Sequence, residues 1–76
     1  MFTTVTGVVV PVPWSTEAGM VPVALQGVDE REYAIAAAGR GPELLALSGR
    51  RITVLGRMQI GERRRILEAL DYEILV

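Results

Sequence analysis

The chain has 76 residues, a formal net charge of −1 and hydrophobic side chains at half of its positions, with neither cysteine nor histidine. That is enough for one small domain, which buries only about 60% of its unfolded surface and must be held by packing. Disulfides, thiolate metal sites and histidine-based acid–base or metal chemistry are excluded, and the charge gives little overall attraction to phosphate.

All eight cations are arginine, and none occurs before Arg31. The N-terminus therefore lacks the basic start of a secretory signal. The apolar runs around Val8–Trp14 and Tyr33–Ala38 are too short to span a bilayer. The expected location is cytoplasmic, with no membrane partner.

Residues 2–12, "FTTVTGVVVPV", are rich in Val and Thr, whose branched side chains suit a pleated strand. Gly7 interrupts the run, as a bulge or bend would. Pro11 and Pro13 cannot donate to a ladder, so pairing should fade there, and Pro13–Gly19 reads as a loop. Met20–Ala38 reads as a hairpin: Val21, Val23 and Leu25 alternate onto one face, as do Tyr33, Ile35 and Ala37 on the second arm. The polar "GVDERE" between them supplies the turn.

Gly39–Gly49 predicts a short helix, with Pro42 at its first position, Glu43 near its positive end and Gly49 at its stop. Arg50–Gln59 alternates cleanly. Ile52, Val54 and Met58 share one face, with Arg51, Thr53, Leu55 and Arg57 on the other. Gly56 falls on the inner parity, where a barrel corner needs a bulge or bend. The last segment, "ERRRILEALDYEILV", fits both a helical stripe (Ile66, Leu67, Leu70, Ile74) and a strand. The strand is the reading taken, with Ile66, Leu70, Tyr72, Ile74 and Val76 on one face and Glu68 out of place.

The expected class is all-β with one short helix: five strands closing a barrel, the helix between the third and fourth. A flat sheet of five short strands would leave two open edges that invite aggregation. The glycine-broken "TGVVV", the hairpin "VALQGVDEREYAI", the helix "PELLAL" and "RRITVLGRM" followed by a last strand together resemble the OB-fold, a Greek-key barrel. An SH3-like barrel is the alternative small barrel, and the internal helix argues against it. The resemblance implies a binding surface on the second and third strands. It is flanked by the loops Pro13–Gly19 and Gln59–Arg64.

Single-strand nucleic-acid binders combine a basic groove with aromatic platforms. The candidate residues are Trp14 in the first loop, with Arg63 and Arg65 projecting together from the last strand beside Arg51 and Arg57 on the fourth. Each has a plainer reading: Trp14 capping the barrel mouth, the arginines a solvated face mixed with Glu62, Glu68 and Glu73. Phe2, Tyr33 and Tyr72 read as packing residues. Asp29, Glu30 and Glu32 read as a solvated hairpin tip, whose charge would repel phosphate. Ser15 and Ser48 have no histidine to activate them, and "GRGPEL" lacks the ending of a phosphate loop. No enzyme, metal or cofactor is expected. Two functions remain open: weak, salt-sensitive, sequence-nonspecific binding of single-stranded nucleic acid, or contact with another protein or with a second copy of this chain.

Overall fold

The computed structural model describes residues 1–12 and 18–76. The elements are β1 (Phe2–Pro11), β2 (Met20–Gly27), β3 (Glu32–Ala36), one 3₁₀ helix (Gly41–Leu47), β4 (Arg51–Ile60) and β5 (Arg65–Ile74). The strands hydrogen-bond in the closed, barrel-like ring β1-β2-β3-β5-β4, with β4 returning to β1. All neighbours are antiparallel except β3 and β5, which run parallel over Tyr33–Arg65, Ala34–Ile66 and Ile35–Leu67. The all-β class with its single helix between β3 and β4 is as expected, and the C-terminal segment is a strand.

Alternation decides what fills the ring. Val5 and Val9 of β1, Val21, Val23 and Leu25 of β2, and Tyr33 and Ile35 of β3 form one core with Ile52 and Val54 of β4 and Leu67 and Ala69 of β5. No polar or charged residue among those described is fully buried. Fully burying a side chain such as Leu25, Ile35, Ile52 or Leu67 contributes about 1.5–3 kcal/mol. A chain this short must collect many such terms to offset the entropy of ordering.

The helix closes one end of the ring. It is a 3₁₀ helix, with Pro42 in its first turn and no side-chain cap. Leu44 is completely buried in the core, and Leu47 packs against it. Seven residues are too few for a self-supporting helix; the buried leucine and a polar clamp hold this one. In that clamp the Arg40 guanidinium donates to Glu43 at 3.1 Å and to Asp71 of β5 at 2.8 Å. The Tyr72 hydroxyl donates to Glu43 at 2.9 Å. Arg40 also lies 4.9 Å from the centre of the Tyr72 ring.

Two glycines set the curvature. β1 runs through Gly7 with no bulge. This is the residue where β1, already paired with β4, also begins to pair with β2. A side chain at Gly7 would overlap the Gln26 carbonyl, so close backbone approach, rather than the expected bulge or bend, requires the glycine. At Gly56 the bulge is real. Leu55 faces Asp71 while Gly56 faces Ala69, so Leu70 is an extra residue in β5.

That bulge corrects the expected face of β5. Leu67 and Ala69 point inward, and Ile66, Glu68 and Leu70 do not. Parity reverses at Leu70, so Tyr72 and Ile74 stand opposite the inward Val54 and Ile52. Glu68, misplaced under the expected parity, lies outside under the observed one. Ala37, expected on the inner face of the hairpin, is exposed beyond the end of β3.

Candidate interaction surface

The ring order spreads the candidate residues out. β4 lies two strands from both β2 and β3, so its outward Arg51 faces away from the outer surface of β2 and β3, whereas Arg57 lines a groove with Ala36 at the end of β3. Within β4 the two sit near opposite ends, about 20 Å apart at ~3.3 Å per residue. Arg51 stands opposite Val8 of β1, and Arg57 stands between Phe2 of β1 and Glu68 of β5. The Arg57 guanidinium lies 5.4 Å from the Phe2 ring centre and 3.9 Å from the Glu68 carboxylate. Both side chains of that ion pair are solvated, so it contributes little to stability.

Arg63 is exposed in the β4–β5 turn, not on a strand, so it does not project together with Arg65. That turn is closed by the Gly61 N–H donating to the Arg64 carbonyl at 2.8 Å. Gly61, Glu62, Arg63, Arg64 and Ile66 line an open cleft of about 350 Å³ there. Arg65 is half-buried, next to Tyr33 in the parallel β3–β5 ladder. Trp14 lies outside the described residues. Of the four candidate arginines, then, only Arg63 and Arg65 are close together. Tyr33 is a core residue, as expected.

Asp29 is more than a solvated tip. Its carboxylate accepts from the Arg31 N–H at 3.0 Å and from the Tyr33 hydroxyl at 2.6 Å, which ties the β2–β3 turn to the core. The hydrogen bond from Tyr33 and the one from Arg31 hold the Asp29 carboxyl below its ordinary range. Glu30 completes the turn with a positive φ of 68°.

On the outer parity, Val10 of β1, Ala24 of β2, Ala34 of β3 and Ile66 of β5 stand side by side, followed by Gln59 of β4. Ala24 and Ala34 are buried, and Val10 and Ile66 are half-buried. The other described residues facing outward from β2 and β3 include Gln26, Glu32 and Ala36. This surface therefore carries neither an aromatic ring nor a cation among the described residues. Ile66 continues into a groove of about 340 Å³ lined by Ala36, Ala38, Met58 and Met1, with Arg57, Gln59 and Glu68 also on its walls. Sequence reasoning missed this groove because it assigned Ile66 to the core. The available signal was Glu68, whose misfit marked the inverted parity.

No family model, curated protein or solved structure matches the chain. No helix among the described residues is long and apolar enough to cross a membrane.

Proposed function

We propose that this chain is an OB-type barrel acting as a non-catalytic binding module, and that its ligand is an apolar segment of another protein rather than single-stranded nucleic acid. The OB assignment is supported by the ring order β1-β2-β3-β5-β4, the parallel β3–β5 closure and the helix between β3 and β4. One fold hosts many functions, so the choice of ligand rests on the surface itself. The observation that carries it is the mainly apolar groove of Ala36, Ala38, Met58 and Ile66, in which the one cation on the walls, Arg57, lies beside the Glu68 carboxylate, next to a β2–β3 outer face without described cations or aromatic platforms. An apolar side chain entering that groove gains by leaving water, whereas a phosphate backbone laid across β2 and β3 meets Glu32 and a turn in which Asp29 and Glu30 outweigh Arg31.

Two probes test this reading on the isotope-labelled protein at low salt: an oligothymidylate and a small apolar dye. The dye should shift the amide resonances of Ala36, Ala38 and Ile66. The oligonucleotide should leave them, and the fluorescence of the single tryptophan, unchanged. Saturable quenching that disappears with added salt would favour nucleic acid instead.

A further inference from the structure

Among the described residues, β1 is paired on both edges for only part of its length. Its odd-numbered residues turn their backbone groups toward β4. The Met1 carbonyl accepts from the Met58 N–H at 2.9 Å. Val9 donates to the Arg50 carbonyl at 3.0 Å and accepts from the Gly49 N–H at 2.7 Å. The even-numbered residues therefore turn theirs toward the other edge. On that edge Val8 and Val10 meet Gln26 and Ala24 of β2, and the Thr6 carbonyl accepts from the Val28 N–H at 2.9 Å. There the hairpin turns away, closed by the Gly27 N–H donating to the Arg31 carbonyl at 2.8 Å. β2 thus ends before it reaches Thr4 and Phe2. Thr4 lines a groove of about 300 Å³ between Thr3–Thr6 and the turn at Val28 and Asp29, and Phe2 lies just beyond it.

The other incomplete edge is blunted. Past Leu67, β5 outruns β3, and the Arg40 N–H donates to the Ala69 carbonyl at 2.8 Å. The Asp71 carboxylate accepts from both the Tyr72 N–H and the Arg40 guanidinium. Charge and a covering loop are the usual protections of a sheet edge. The Phe2–Thr4 edge has no charged residue, no proline and no bulge. Beside it Phe2 is 66% exposed and Leu55 of β4 is 47% exposed.

We propose that a second copy of this chain adds its own β1 to this edge, antiparallel about a two-fold axis at Thr3. Phe2 and Thr4 of each copy then exchange backbone hydrogen bonds with Thr4 and Phe2 of the other. This register matches edge-pointing groups with edge-pointing groups. It also brings the incoming Met1 opposite Val5, short of the Val28–Thr6 hydrogen bond that an axis at Thr4 would disrupt. Identical strands repel where like charges meet, but Phe2, Thr3 and Thr4 are neutral, and the Asp29 carboxylate across the groove already accepts from Arg31 and Tyr33. The nearest charge on that face, Arg57, stands one strand back and is compensated by Glu68. On the outer face the two Phe2 rings become diagonal cross-strand neighbours flanked by the two Leu55 side chains, a separation aromatic rings reach across. The contact is isologous and closes on itself, so it yields a dimer rather than a filament.

Light scattering from micromolar to millimolar protein tests the proposal, with amide hydrogen exchange followed over the same range. The mass should rise from 8.3 kDa toward twice that value, and exchange of the Phe2 and Thr4 amides should slow with it. Thr4→Lys, which puts like charges on adjoining positions of the paired strands, should keep the monomer mass and the parent's melting temperature. Thr4→Pro should also stay monomeric, because it removes an edge-facing donor that β4 does not use. A monomer mass at every concentration would overturn the proposal. So would a dimer that survives Thr4→Lys with its Thr4 amide still in fast exchange.

Discussion

The Tyr33 hydroxyl, on a ring buried in the core, donates to the Asp29 carboxylate across the β2–β3 turn at 2.6 Å. This one bond ties the pH dependence of the turn to that of the barrel. The hydrogen bonds from Tyr33 and Arg31 hold the Asp29 carboxyl below 3.8. The bond to Asp29, together with burial, holds the Tyr33 phenol above 10.0. Across the barrel Arg40 and Tyr72 lower Glu43 from 4.5, and Glu43 raises Tyr72 from 10.0.

The linkage has a definite sign. A depressed carboxyl stabilises the fold above its unfolded value and loses that contribution as pH falls through its folded value. A raised phenol stabilises below its unfolded value and loses that contribution as pH rises through its folded value. The melting temperature should therefore be flat between about pH 5 and 9, fall below about pH 4 and fall again above about pH 10. Tyr33→Phe should lower the plateau and weaken both arms. Thermal melts across this range check it, and identical arms in the variant would contradict the assignment.

Leu67 and Ile66 are adjacent, and the inverted parity of β5 makes them unequal. Leu67 is fully buried, so Leu67→Ala should cost about 2–5 kcal/mol. Ile66→Ala, on the outer side, should cost less than about 1.5 kcal/mol, closer to the cost of a surface change. Urea melts of the two variants decide between the parities, and the reverse ranking would place Ile66 in the core.

A methyl group added at Gly7 would run into the backbone of Gln26. Gly7→Ala should therefore cost about 1–3 kcal/mol, which in a domain of this size lowers the melting temperature by roughly 4–8 °C per kcal/mol. A melting temperature equal to the parent's would show that β1 and β2 do not approach so closely there.

How legible the fold was depended on whether a signal was local. The inner face of β4 read directly, because Ile52, Val54 and Gly56 alternate without interruption, and the pairing of Val23, Leu25, Tyr33 and Ile35 followed from the same period. β5 misled because one extra residue, Leu70, reverses parity in mid-strand, and a face read from the well-patterned tail extrapolates wrongly to Ile66. The helix was visible through Pro42 and its leucines, but nothing local in those residues specifies its 3₁₀ form. The arginines were legible as charges, but not as a site. Whether Arg57 and Arg63 share a face depends on which strands adjoin, and ring order is a long-range property.

The clamp on the helix gives a further prediction. Arg40→Ala removes the guanidinium that bonds Glu43 and Asp71 and stacks on Tyr72. Exchange of the amides in Gly41–Leu47 should accelerate, while those of β1 and β4 stay as in the parent. Uniform acceleration would mean that the clamp supports the whole barrel rather than its plug.

The groove between Ala36 and Ile66, the place of Arg65 beside Tyr33 and the closure of the ring depend on β3 and β5 lying side by side and in parallel. The most direct test is a nuclear Overhauser map of backbone protons on isotope-labelled protein. Cross-peaks should link Tyr33, Ala34 and Ile35 to Arg65, Ile66 and Leu67 in ascending order. Their absence, or an order descending along β5, would contradict the account.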